Sequence, residues 1–193
     1  MRQALSACCT FLAIPAFACP GAAELNEGVR IDLEGGEYSV ITRDALGVVR
    51  EVEYLVDLDE TVTYETSNGV IETAYLSPSE EESAFYSYSF PTDDILPLQE
   101  WAGQSGTQIE RDVEGVVVGT VDFSWRTRGR EPFQIGDCTY DAIPLETVYA
   151  SEDGTSLTEF RFLVDLGIPV VVGYYADGAA DLYPPQRISA VGE

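Results

Sequence analysis

Histidine and lysine are both absent from this chain of 193 residues. Without an imidazole there is no histidine general base, no Ser-His-Asp or Cys-His nucleophile and no histidine ligand for a metal ion. Without a lysine there is no P-loop, and the sequence contains neither a Gly-x-Ser-x-Gly nor a Gly-x-Gly-x-x-Gly segment. We therefore expect a protein that is not an enzyme and that uses no cofactor and no metal.

Positive charge is scarce. Ten basic residues, all arginine, face 34 acidic residues, and the formal net charge is −24. A surface of this kind repels nucleic acids and anionic membranes, and no basic patch interrupts it, so we expect no nucleic-acid partner. Apolar residues make up 45% of the chain, which favours a folded domain over a disordered acidic segment.

Long apolar runs are limited to the N-terminus. Residues 4–18 carry no charge, follow Arg2 and end in the small-x-small sequence Ala16-Phe17-Ala18. The run is shorter than the about 20 residues that a membrane-spanning helix needs. It is typical of a signal peptide, residues 1–18, cleaved after Ala18. The mature chain would then carry a formal charge of −25, have no transmembrane segment, and be periplasmic or secreted.

Two of the four cysteines, Cys8 and Cys9, would leave with the signal peptide. Cys19 would become the first residue, and Cys138 lies far along the chain. An even number of cysteines in an oxidising compartment favours a Cys19–Cys138 disulfide, which would close a loop of more than 100 residues and contribute about 4–5 kcal/mol. Lipidation of Cys19 is the alternative, although Pro15 and Ala16 depart from the usual lipidation signal. Free thiols are a third state.

Alternating apolar and polar residues predict β-strands from residue 29 onward, with turns at Asn68-Gly69 and Asp153-Gly154. Almost no stretch has helical periodicity. We predict a mainly β fold of about 9–11 strands in one strongly curved antiparallel sheet, an open half-barrel or a closed barrel. Residues 19–178 would form this single domain, and the Ala-, Gly- and Pro-rich residues 179–193 a partly ordered tail.

The segment from Ile135 to Gly178, IGDCTYDAIPLETVYASEDGTSLTEFRFLVDLGIPVVVGYYADG, resembles the closing strands of exported half-barrel proteins. That group includes lipoprotein-carrier-like folds and small uncharacterised exported β-rich proteins of Gram-negative bacteria. The resemblance implies an open barrel of 11 strands around an apolar concavity. The long helix that plugs carrier-type half-barrels is not evident in this sequence.

Alternating aromatic residues are the first candidate site. In a β-sheet they either fill the core or line a ligand cavity. The candidates for lining a cavity are Tyr54, Tyr86, Tyr88, Phe90, Trp125, Tyr140 and Phe162. A second candidate is the group Arg126, Arg128 and Arg130, which either neutralises acids on neighbouring strands or contacts an anion or a partner.

These features favour an exported, soluble, non-enzymatic protein that binds an apolar small molecule or a cell-envelope protein. One alternative is a glycan hydrolase that uses a carboxylate pair, either Glu146 with Glu159 or a pair within Asp57, Asp59 and Glu60. The segment 57–60 lacks the spacing of a calcium-binding loop. Another alternative is a structural or interaction protein with a filled core.

Overall fold

The computed structural model describes residues 19–192 except residues 57, 68, 93, 94, 96, 97 and 153. The predicted signal peptide, residues 1–18, and the turn residues Asn68 and Asp153 lie outside the described residues. Within the described residues, the helical segments are one-turn 3₁₀ helices at Glu24–Asn26, Glu34–Gly36 and Glu80–Glu82. The strands are β1 (Val29–Asp32), β2 (Tyr38–Arg43), β3 (Val49–Leu55), β4 (Glu60–Ser67), β5 (Ile71–Leu76), β6 (Ala84–Tyr88), β7 (Gly103–Arg111), β8 (Val117–Thr127), β9 (Glu131–Ile135), β10 (Cys138–Ser151), β11 (Gly154–Leu163), β12 (Ile168–Ala176), β13 (Ala179–Leu182) and β14 (Arg187–Ala190).

The strands of the described residues form one antiparallel sheet of 14 strands that does not close. Its order is β13-β12-β11-β10-β8-β7-β6-β5-β4-β3-β2-β1-β14, with β9 paired to the first half of β10. The predicted fold class, a mainly β protein with one strongly curved antiparallel sheet, is confirmed, and of the two predicted forms the sheet has the open one. The strand count of 9–11 was too low, because β9, β13 and β14 have only four or five residues each and lack a clear alternation.

The C-terminal segment shows how strongly the sheet curves. Within residues 179–193, for which the sequence predicted partial order, β13 pairs with β12 and β14 pairs with β1. These strands lie at opposite ends of the sheet, yet only five residue steps separate Leu182 from Arg187. Such a link spans at most about 18 Å. The two ends of the sheet are therefore close in space.

The sheet overlaps itself at these ends. Ala142 and Leu163 are direct partners and point to one face, which we call the outer face, while Ile143 points to the opposite, inner face. Paired residues on neighbouring strands point to the same face of a sheet. Following these pairs from β2 across the sheet to β10 therefore places Ile41 and its partner Val29 on the inner face. All four of Val29, Ile41, Ala142 and Leu163 nevertheless belong to one buried cluster, the first core. The inner face of β1–β3 thus covers the outer face of β10–β12, as in a scroll.

A second core fills the inside of the curve. It packs inner-face residues of β8, β10 and β11 against β5 and the segment after β6, and its buried members are Val70, Ile71, Phe90, Ile95, Leu98, Phe123, Trp125, Ile143, Leu145 and Phe162. Because inner-face Ile143 belongs to this core and outer-face Ala142 to the first, the middle of β10 is buried on both sides. This double burial makes β10 the centre of the fold.

The N-terminal segment is fastened over the first core. Cys19 and Cys138 form a disulfide with a Cα–Cα distance of 5.5 Å. Beside it, the hydroxyl of Tyr140 donates a hydrogen bond of 3.1 Å to the carbonyl oxygen of Pro20. Leu25 is fully buried against the same core. Residues 19–28 therefore act as a cover on the outer face of β10.

Candidate functional site

The seven aromatic residues predicted from the sequence as cavity lining do not meet around one space. Phe90, Trp125 and Phe162 are buried in the second core and Tyr140 in the first, the alternative that alternating aromatics also allow. Tyr54 is half-buried, and its hydroxyl donates to Asp59 Oδ1 at 2.7 Å. Tyr86 and Tyr88 lie half-buried on the inner face of β6.

Tyr88 packs against the second core, with its ring centroid 5.4 Å from that of Phe90, and both Tyr86 and Tyr88 belong to a polar inner surface of β3–β7. The register places tyrosines and glutamates of these strands side by side there, and Tyr64 and Tyr75 have ring centroids 5.6 Å apart. We call this surface the tyrosine–glutamate face; its members are Glu51, Tyr64, Glu72, Tyr75, Tyr86, Tyr88 and Glu110. The hydroxyl of Tyr88 ties the face together, since it donates to the carbonyl oxygen of Glu72 and accepts from Gln108 Nε2, both at 2.8 Å.

Two carboxyl groups of this face are poorly solvated. Burial raises the pKa of Glu51 to about 7, opposed by a hydrogen bond from Ser39 and assisted by the charge of Glu53. Burial likewise raises the pKa of Glu72 to about 7, and the charges of Glu51 and Glu110 add to the rise. The pKa values of both carboxyls are raised, and burial is the main cause in each case.

The outer face of β8 and β10 carries a buried acid between two arginines. Glu146 is paired across the strands with Arg126 and is only 4% exposed. Arg126 Nε donates to one oxygen of its carboxylate at 2.6 Å, and Arg128 Nη2 donates to the other. Charge-assisted bonds of this kind are stronger than neutral ones. Both guanidinium groups remain more than half exposed, so Glu146 is satisfied while the arginines still face solvent.

The third predicted arginine holds the neighbouring loop. Arg130 forms ion pairs with Glu100 and with Asp141, and its backbone N–H also donates to Glu100. Thr127, on the inner face, fixes the same loop from behind, because its hydroxyl donates to the carbonyl oxygen of Gln99 at 2.6 Å and accepts from the backbone N–H of Ala102 at 2.8 Å. All three arginines neutralise nearby acids, which was the simpler of the two roles considered. Trp101 lies between Glu100, which Arg130 binds, and Ala102, whose backbone N–H donates to Thr127.

Trp101 was not singled out from the sequence. Its side chain is 76% exposed and its backbone has a φ of +58°, a conformation that is unfavourable for a bulky residue by about 1–3 kcal/mol. The indole lies over Gly129, where a Cβ atom would come within 3.1 Å of the ring. An apolar ring held in the open at a conformational cost is typical of a functional residue. The signal available in the sequence was a lone tryptophan within a Gly- and Pro-containing connection.

A shallow groove leads from Trp101 along the outer face of β7, β8 and β10. It consists of three adjoining cavities with volumes of about 460, 440 and 390 Å³. Small residues such as Ser105 and Ser124, which are direct partners, leave this space open. We call it the Trp–Arg groove; its principal lining residues are Trp101, Gln104, Ser105, Thr107, Asp122, Ser124, Arg126, Arg128, Arg130, Glu146, Val148, Glu159 and Arg161.

The Glu146–Glu159 pair considered for hydrolysis is engaged in other contacts. Glu146 and Glu159 are direct partners on β10 and β11, but Glu146 is neutralised by two arginines and Glu159 accepts a hydrogen bond from the hydroxyl of Tyr175. In the other set, Asp57 lies outside the described residues and Asp59 accepts from Tyr54. Across the described part of the chain, no group of three or more Cys, Asp and Glu side chains is placed to hold a metal ion.

Comparison with known proteins finds similarity to a solved structure. No family model matches the chain, and no curated protein matches it. The chain is similar to the crystal structure of a hypothetical lipoprotein, YmcC, from Escherichia coli K12, with 11% sequence identity, a TM-score of 0.46, and coverage of 88% of this chain and 87% of that one. Among the described residues, no helix has the length and apolar character needed to cross a membrane.

Proposed function

We propose that this protein is a non-enzymatic binding protein and that the Trp–Arg groove binds an extended, polar ligand of low charge, an oligosaccharide by chemical class. The observation that carries the proposal is the exposed indole of Trp101, held at positive φ beside half-exposed guanidinium groups. An open aromatic ring offers a stacking surface for the apolar face of a sugar ring. Guanidinium N–H groups donate hydrogen bonds to hydroxyl oxygens.

The shape of the groove supports an extended ligand. Pockets for small apolar molecules enclose most of the ligand and are lined mainly by hydrophobic side chains. The Trp–Arg groove is open along its length, and serine and threonine side chains line it. Of the aromatic residues that would have lined an apolar cavity, four are buried in the two packed cores, Tyr86 and Tyr88 lie on the tyrosine–glutamate face, and Tyr54 lies on the face of β3 opposite to Glu51. An apolar small molecule therefore has less support than an oligosaccharide.

Electrostatics disfavour a polyanionic ligand. The acids Glu131, Glu146 and Glu159 lie among the arginines of the groove, and the whole chain has a net charge of −24. A polyanion would have to approach against this field, whereas a neutral ligand would not.

Export belongs to the same proposal. The signal peptide expected at residues 1–18 would deliver the protein to the periplasm or to the cell exterior. The Cys19–Cys138 disulfide supports an oxidising compartment, because such bonds persist there. It also competes with a lipid anchor, since both need the sulfur of Cys19.

Tryptophan fluorescence tests the groove directly, because the chain has two tryptophans and Trp125 is buried. Neutral hexasaccharides of glucose and of N-acetylglucosamine are titrated alongside a hexagalacturonate as the polyanion. We expect a neutral saccharide to change the emission of Trp101. Trp101→Ala should abolish binding, and Trp125→Phe should retain the signal. Absence of binding across the panel, or unaltered affinity in Trp101→Ala measured by calorimetry, would contradict the proposal.

A further inference from the structure

The far end of the β7–β8 hairpin exposes an apolar surface that the groove does not use. Four valines, Val113, Val116, Val117 and Val118, are between 49% and 57% exposed. Residues 115–121, Gly-Val-Val-Val-Gly-Thr-Val, carry no charge in a chain with 34 acidic residues. Consecutive strand residues point to opposite faces, so this hairpin is open on both. We call residues 112–121 the valine hairpin.

The valine hairpin also has an open edge. β10 pairs with β8 only from Asp122 onward, where Asp122 faces Ala150. Val117–Val121 therefore has β7 on one side and, within the described residues, no strand on the other. An open edge presents backbone N–H and C=O groups that can pair with a further strand. The segment is rich in β-branched residues, contains no proline and carries none of the charged side chains with which proteins usually protect an edge.

The charges around this edge indicate what can occupy it. Acids stand at both of its ends, Asp112 and Glu114 at the tip and Asp122 at the base. The nearby cation, Arg111, is turned toward the tip and donates a hydrogen bond of 3.1 Å to the carbonyl oxygen of Gly115. A second copy of this chain in antiparallel pairing would bring the tip acids of one protomer to the base acid of the other. Attraction requires a strand with basic residues at its ends.

We infer that the open edge of the valine hairpin is a docking site for an extended segment of another protein, apolar and β-branched at its centre and flanked by lysine or arginine. The segment adds as an antiparallel strand beside Val117–Val121, in line with β10 beyond Ala150. Backbone hydrogen bonds hold it, the valines contact its apolar side chains, and Asp112, Glu114 and Asp122 select its flanks. The site is separate from Trp101, and Asp122 is the residue that it shares with the lining of the Trp–Arg groove.

Hydrogen–deuterium exchange on the whole protein tests this inference. The probes are two synthetic peptides with the same Val-Thr-Val-Thr-Val centre, one with lysines and one with glutamates at both ends. We expect the lysine peptide at saturation to slow exchange of those amides within 117–121 that face the open edge about tenfold, and the glutamate peptide to have no effect. Val118→Arg should abolish the protection. Val56→Arg, at another exposed valine, should retain it.

Three results would overturn the inference. The first is that neither peptide slows exchange at 117–121. The second is that both peptides protect equally, which would remove the charge selection. The third is that the protein alone becomes protected there as its concentration rises, which would assign the edge to a second copy of the chain.

Discussion

Raising the pH from about 5 to about 8 is expected to destabilise the fold, because two carboxyls of the tyrosine–glutamate face ionise late. The pKa of Glu51 and that of Glu72 both lie at about 7 in the folded protein, against 4.5 for an ordinary glutamate. The unfolded chain therefore gives up these protons at lower pH than the folded chain does. The stability contributed by the protonated carboxyls is fully present below about pH 4.5 and is lost as the pH rises through about 7.

Glu72→Gln isolates the contribution of one carboxyl. The folded and unfolded pKa values differ by about 2.5, which corresponds to about 3 kcal/mol for a fully buried group. Glu72 is half-buried, so solvent screening lowers the expected value to about 2 kcal/mol. Glutamine resembles the protonated acid. The variant should therefore be more stable than the wild type by about 2 kcal/mol at about pH 8 and by less than about 1 kcal/mol at about pH 5.

Urea unfolding followed by circular dichroism across this pH range measures both effects. Glu81→Gln is the control, since Glu81 is exposed in the 3₁₀ helix Glu80–Glu82 and lies outside the tyrosine–glutamate face. Its curve should run parallel to that of the wild type. If Glu72→Gln kept the full pH dependence of the wild type, burial of this carboxyl would not be the cause of the dependence and the reasoning would fail.

Changes at three other places test the disulfide, the second core and the buried ion pairs. Cys138→Ser should lower the free energy of unfolding by about 4 kcal/mol, since the bond joins residues 119 apart. Urea unfolding of the variant and of the wild type, with and without reductant, checks this. Equal urea midpoints for the two proteins without reductant would contradict it. Leu145→Ala, at a side chain that is 1% exposed, should cost about 3 kcal/mol and lower the melting temperature by about 6–12 °C, whereas a negligible shift would argue against close packing there. Glu146→Gln should cost about 1–2 kcal/mol, because its two arginines can still be solvated; an unchanged urea midpoint would mean that the pairs contribute nothing.

Much of the fold follows from patterns of short range. Alternation and turn signals predict a strand wherever six or more residues alternate clearly, and a single antiparallel sheet follows from successive hairpins, although they leave open whether that sheet closes. They fail for β13 and β14, because four residues such as Ala179–Leu182 carry too little pattern to separate a strand from a tail. The self-overlap of the sheet has no local signal, since it depends on a buried cluster that joins Ile41 to residues of β10 and β11 far along the chain.

The candidate site was less predictable because a strand pattern does not say which face is inside. In β3 the sequence separates Val52 and Tyr54 from Glu51 and Glu53, and apolar residues would ordinarily be expected inward. The register instead gives Glu51 the inner position, opposite Tyr64 and Ile41. Trp101 lies in an irregular connection whose conformation depends on Thr127, 26 positions later. Contacts of that kind are set by tertiary structure.

The pairing of β1 with β14 has a consequence for how fast the chain can fold. Val29 pairs directly with Ala190, which lies two residues after Ile188 on β14. Ile188 belongs to the first core, so this core is incomplete until nearly the whole chain is present. Proteins dominated by contacts between distant residues fold slowly, on the millisecond-to-second scale, and expose apolar strands while they do so. A chain that emerges N-terminus first would hold β1–β3 without their final cover during that interval. Repulsion between the many carboxylates then helps to keep unfinished chains from associating.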